Sequence, residues 1–157
     1  MSPRMPDLLT TVILPFDKLS TEQLYALLRL RSEIFVVEQM CIYQDVDDKD
    51  RQAEHLLCYQ GEALVGYARL LPPGLSFPGP SIGRVCVASE YRGLGYAQHI
   101  MRAAIAHTPR CKAPLEIGAQ VYLQAFYARL GFTPSSEPYD EDGIMHIDMQ
   151  YPTANDA

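Results

Sequence analysis

Gly83-Arg84-Val85-Cys86-Val87-Ala88-Ser89-Glu90-Tyr91-Arg92-Gly93-Leu94-Gly95-Tyr96-Ala97 is the stretch that decides the fold. Ile82, Val85, Cys86 and Val87 suit a buried or half-buried strand. From Leu94 the period changes. Leu94, Ala97, Ile100, Met101, Ala104 and Ile105 recur at helical spacing, and Thr108-Pro109 ends the run. A strand that passes through a glycine-bearing turn into a helix leaves unpaired N–H groups at the helix start. Those groups and the positive end of the helix dipole attract an anion, typically a phosphate. Gly93 and Gly95 let a ligand approach the backbone, and Arg92 adds a positive charge at the mouth. The dinucleotide fingerprint would need glycine or alanine where Gln98 stands, and the Gly-Lys-Ser/Thr of a P-loop is absent.

Working outward, a chain of 157 residues suits one domain spanning 1–157. Charged residues at 20% and apolar residues at 48% are ordinary for a globular protein. The net charge of −6 argues against a general nucleic-acid binder. No window approaches the roughly 18 apolar residues of a membrane span. The N-terminal residues lack the apolar core of a signal peptide, and Cys41, Cys58, Cys86 and Cys111 form no C-x-x-C pair. A cytoplasmic, reduced protein is expected, with Cys58 and Cys86 as small core residues.

Residues 1–9 and 152–157 read as mobile tails. Thr10 to Phe16 is a candidate strand. Ser20 and Gln23 form a capping box, and Leu24, Leu27, Leu28, Ile34 and Phe35 give an apolar stripe to about Val37. Arg29, Arg31 and Glu33 read as solvated charges on that helix. Glu38, Asp45, Asp47, Asp48 and Asp50 crowd the loop that follows. Such a run suits a solvated surface, or a negative lip for a cationic amine. His55 to Tyr59 and Ala63 to Leu71 read as a hairpin, and the prolines from Pro72 to Pro80 as a connector. Leu115 to Gln120 is a further strand. Leu123, Phe126 and Leu130 mark a short helix closed by Gly131. Phe132–Ser136 and Ile144–Tyr151 read as a final strand pair. The order is strand, helix, three strands, helix, strand, helix, two strands. It implies a mixed α/β or α+β domain.

Arg92-x-x-Gly95-x-Ala97 resembles the coenzyme A pyrophosphate loop of the GNAT acetyltransferases. Leu123-Gln124-Ala125-Phe126-Tyr127-Ala128-Arg129-Leu130-Gly131-Phe132 is similar to that family's A-x-x-F-Y-x-x-L-G-F helix. The segment Arg31 to Asp47, with His55-Leu56 and Asp142-Gly143-Ile144-x-His146-Ile147-x-Met149, resembles ElaA-type GNAT proteins. Ile42 stands where a proline is usual and Tyr122 where a histidine is usual, so any role of that histidine does not carry over. The resemblance implies a central mixed sheet splayed between its fourth and fifth strands and flanked by helices. It also implies acetyl-CoA as acyl donor, bound along Val85, Cys86, Val87, Arg92, Gly93, Leu94, Gly95, Tyr96, Ala97 and Tyr127, with no metal.

Transfer to an amine then needs a held cofactor, a stabilised thioester oxygen, a base and an acid. A backbone N–H near Val87 suits the oxygen. Tyr127 is the candidate acid, since a phenol near pKa ~10 can donate to a thiolate whose acid is near ~8.5. The base is open among Glu38, Glu116, His146 and a water chain. Glu116 faces away from Leu115 and Ile117. The expected activity is N-acetylation of a primary amine, small-molecule or peptide, by direct attack, without nucleic-acid or membrane partners. A homodimer is left open. The alternative is a non-catalytic acyl-CoA-binding module, kept alive because the central strand carries no acid.

Overall fold

The computed structural model describes residues 9–109 and 111–152. The expected tails at 1–8 and 153–157 lie outside the described residues. Leu9 instead opens strand β1 (Leu9–Pro15), where it pairs with Gln60. Helix α1 (Thr21–Arg31) starts as its capping box requires: Ser20 Oγ accepts from the Gln23 N–H, and Gln23 Oε1 from the Ser20 N–H. The apolar stripe continues beyond Arg31, but as a π-helical stretch over Ser32–Glu38, with bonds from Gln39 N to Ile34 O and Cys41 N to Val36 O.

Strands β2 (Glu54–Gln60) and β3 (Ala63–Leu71) form the expected hairpin, followed by β4 (Ser81–Val87), α2 (Tyr96–His107), β5 (Leu115–Gln120) and α3 (Gln124–Arg129). The end of the chain differs from expectation. The strand after α3 is only β6 (Thr133–Pro134), and the turn region contains an extra short strand, β7 (Tyr139–Glu141), before β8 (Ile144–Tyr151). Pro134 and Pro138 shorten these edge strands, because proline cannot donate to a ladder.

The described strands make one eight-stranded mixed sheet in the order β1-β2-β3-β4-β5-β8-β6, with β7 also on β8. Helix α1 and the π-helical stretch after it cover one face through Leu27, Leu30 and Ile34 against Leu57, Tyr67 and Cys86. Helices α2 and α3 cover the other, where Ile100, Met101, Ala104 and Tyr127 meet Leu56, Cys58, Val65 and Ala68. Gly66 permits this, since a Cβ there would press on the Ile100 side chain and on Cys86 O. No described helix is long and apolar enough to cross a membrane.

Candidate functional site

Strands β4 and β5 run parallel but share one register pair, Ser81 with Glu116, beside the bond from Glu116 N to Pro80 O. Beyond it they part, which opens a split in the middle of the sheet. Each wall is built by a different local device.

On the β4 wall, the register against β3 runs Arg69↔Gly83 and then Tyr67↔Cys86, so β4 carries one extra residue. Arg84 lies at the bulge with φ +52, a left-handed conformation uncommon for a bulky side chain. Ala88 N–H bonds Val65 O. In an antiparallel ladder that places Val87, opposite Gly66, in the pair whose N–H and C=O point away from β3. Val85 shares that phase. Val87 O accordingly accepts from Arg92 Nε at 3.0 Å.

Past β4 the chain crosses Gly93 and Gly95, with φ +77 and +82. Gly95 is the N-cap of α2, no side chain caps that end, and a Cβ at either glycine would meet nothing within 4 Å. The first N–H groups of a 12-residue helix are therefore left without a side-chain cap, beside a turn with open space around its glycines. This is a cradle an anion can enter, so these residues fit a pyrophosphate.

On the opposite wall, α3 brings Tyr127, whose ring is 8% exposed and packed edge-on against Phe126 and Phe132. Its hydroxyl has no hydrogen-bond partner among the described residues, yet it is not sealed from solvent. Burial and, second, the nearby Tyr122 push its pKa up to about 12. Tyr122 is exposed and lies within electrostatic reach of Arg92 as well as of Tyr127.

The candidate bases are spread apart. Glu38 ends the π-helical stretch and grips Arg92 at 2.7 and 2.9 Å. The charge expected of Arg92 at the phosphate cradle is thus shared with a carboxylate. Glu116 sits at the closed end of the split, on the face away from α2, with Ser135 Oγ at 3.4 Å and no cationic partner among the described residues. Burial and then Asp148 raise its pKa, against the Ser135 bond. His146 pairs with Gln120 on β5, donates from Nδ1 to Ile144 O and stacks on Tyr139. Cys86 faces α1, and burial pushes its thiol up to about 12.

The acidic loop overturns two expectations. Arg31 is not a solvated charge: it is fully buried, bonded to Asp45 at 2.8 Å and Asp50 at 2.7 Å. The loop is not a free negative lip either. Asp47 and Asp50 hold Arg69, while Asp45 and Asp47 hold Arg84. Glu38 is exposed but paired with Arg92, and Asp48 stays exposed near Arg51 at 3.7 Å. The loop's charge is spent inward, on tying loop, helix and sheet together. One signal of this was present in the sequence: Arg31 falls between Leu27 and Ile34 on the apolar stripe of α1. No group of three or more His, Cys, Asp or Glu among the described residues could hold a metal ion.

Residues 18–152 match the acetyltransferase (GNAT) domain family. ElaA of Escherichia coli is 43% identical over 139 residues, spanning 85% of this chain and 90% of that protein. Its crystal structure superposes with a TM-score of 0.83, covering 92% of this chain and 100% of that one. An acyl-CoA N-acyltransferase from Pseudomonas aeruginosa superposes at 0.84 with 38% identity and the same coverage. A GNAT family acetyltransferase from Elizabethkingia anophelis, crystallised with acetyl-CoA bound, shares the fold at 0.58 and 18% identity over 92% of this chain and 95% of its own. With a match over most of its length, this chain belongs to the GNAT acetyltransferases, the acyl-CoA N-acyltransferases, and is similar within them to ElaA.

Proposed function

We propose that this protein moves the acetyl group of acetyl-CoA directly to a primary amine inside the β4–β5 split. The observation that carries the reading is the alignment of three features: the open α2 N-terminus, the outward backbone of Val85 and Val87, and the Tyr127 hydroxyl. The glycine turn and the first N–H groups of α2 hold the pyrophosphate. The outward N–H and C=O groups of β4 pair with the amides of the pantetheine arm as an added strand would. When bound, the thioester supplies the activated acyl carbon.

The chain's own groups do the rest. An outward N–H of Val85 or Val87 donates to the thioester oxygen as its charge grows. The Tyr127 hydroxyl, held protonated by its burial, donates to the departing sulfur. Glu116 is the carboxylate suited to take the amine proton, directly or through water. Its raised pKa makes it the better base, whereas Glu38 is occupied by two guanidinium bonds. The buried Cys86 thiol is too weakly acidic to carry an acyl group, which favours direct attack. GNAT enzymes act on small-molecule or peptide amines, and the acceptor here belongs to that class. The test is thiol release from acetyl-CoA across a panel of amines, beside calorimetry with coenzyme A. Coenzyme A binding without thiol release from any amine would leave a binding module and refute the transferase reading.

A further inference from the structure

In the acyl-CoA reading above, the outward N–H groups of Val85 and Val87 are a working part, and the β4 bulge is what makes them available. Val65 directs its backbone groups at β4, since Val65 O accepts from Ala88, and by alternation so does Tyr67. If the Arg69↔Gly83 register continued without a bulge, the partners of Tyr67 and Val65 would be Val85 and Val87. Their N–H groups would then be consumed by β3. The extra residue hands those positions to Cys86 and Ala88 instead, so that Val85 and Val87 turn toward the split.

The bulge has no local support. Arg84 carries the left-handed φ of +52, and arginine has neither the missing Cβ of glycine nor the short polar side chain of asparagine. The support is tertiary. Arg84 Nε donates to Asp45 Oδ1 at 2.8 Å, and Nη2 donates to Asp45 O at 3.1 Å and Asp47 Oδ2 at 3.3 Å. The guanidinium lies 5.5 Å from the centre of the Tyr43 ring, and Tyr43 itself donates to Asp45 at 2.9 Å. Asp45 is fixed in turn by the buried Arg31 of α1. A clamp that starts on a helix and runs through the acidic loop thus ends on the one strained residue of the acyl-binding strand.

We propose that Arg84 is a positioning residue: clamped by Asp45 and Asp47, it holds the β4 bulge that turns the Val85 and Val87 N–H groups toward the acyl carbonyl. The inference rests on the acyl-CoA reading, and the test keeps the two apart. Arg84→Gly removes the clamp, from a side chain 22% exposed, and with it the strain the clamp holds, because glycine accepts the positive φ. Arg84→Met keeps the stem over Tyr43 and removes the charge. The readouts are Kd for coenzyme A and for acetyl-CoA, and the infrared carbonyl band of bound carbonyl-13C acetyl-CoA.

The wild-type protein is expected to prefer acetyl-CoA over coenzyme A by roughly 3–10-fold, the size of one net hydrogen bond, and to shift the band to lower frequency. Both variants are expected to bind coenzyme A within about threefold of wild type, because the 92–97 loop is intact; Arg84→Met, strained and unclamped, is expected to lose both the preference and the band shift, and Arg84→Gly, which needs no clamp at this φ, to retain them. A preference and shift retained in folded Arg84→Met would overturn the positioning role, as would their loss in Arg84→Gly or an unshifted band in the wild type. A wild-type protein that binds neither ligand would refute the acyl-CoA reading itself, and this inference with it.

Discussion

Tyr127→Phe removes one hydroxyl from a ring that is 8% exposed and leaves the ring in place between Phe126 and Phe132. The hydroxyl has no protein partner among the described residues, so its loss leaves no buried group unsatisfied. Stability should therefore change by less than about 0.5 kcal/mol, and coenzyme A binding should persist. The catalytic effect follows from the titration of the group. With a pKa pushed up to about 12 by burial and then by Tyr122, the phenol remains protonated through any practical assay pH. It is also a weaker acid than the thiol it would serve, whose reference value is near ~8.5. The hydroxyl thus acts by donating a hydrogen bond to the developing thiolate rather than by completing proton transfer. A bond to a charged partner contributes about 1.5–3 kcal/mol, which is roughly 10–150-fold in rate. The loss should appear equally in kcat and kcat/KM, because the bond strengthens in the transition state. The assay is thiol release under single-turnover conditions, where chemistry is isolated from product release. A fall below about threefold in that step, with folding and coenzyme A affinity intact, refutes the assignment.

Gly95→Asp should separate helix stability from ligand binding. At φ +82 an aspartate is strained by about 1–2 kcal/mol and cannot cap as an extended residue would, so Tm should fall by only a few degrees, while a carboxylate beside the pyrophosphate should weaken coenzyme A binding by at least about tenfold in calorimetry. If Glu116 takes the amine proton, kcat/KM should fall as pH drops through a group titrating above the usual carboxylate range, and Glu116→Gln should abolish that limb of the profile. Arg31→Met breaks a buried network from one side and should cost about 3–5 kcal/mol, or roughly 9–15 °C in Tm by calorimetry. Asp50 is held low because its bonds and charge pairing with Arg31 and Arg69 outweigh burial. The stability it contributes is present above the unfolded carboxylate value near pH ~4 and is lost as pH falls below it, so acid unfolding should be less steep in Arg31→Met.

What the sequence made legible is what short segments can encode. Ser20 and Gln23 announce the α1 start because a capping box closes within four residues. Gly93 and Gly95 announce the turn into α2 because a positive φ before an uncapped helix is a local demand. The π-helical stretch was not legible, since Ser32–Glu38 has the composition of an ordinary helix and departs from one only in its bonding to the following loop. The acidic loop misled for a related reason. Five carboxylates in a row of loop residues carry no mark of their partners, and Arg31, Arg69 and Arg84 reach them from three separate elements. The β4 bulge is the extreme case. It is a relation between the registers of two strands, so nothing within Ser81–Val87 alone reports it, and the residue that bears it is neither glycine nor asparagine. A local rule broken at Arg84 and compensated by Asp45 and Asp47 is therefore best read as a sign of use. Under the proposed role of Arg84, the acidic loop governs which backbone groups of β4 are free. Acceptor-side mutations in 43–50 should consequently alter acyl-donor affinity even though none of those residues reaches the 92–97 cradle.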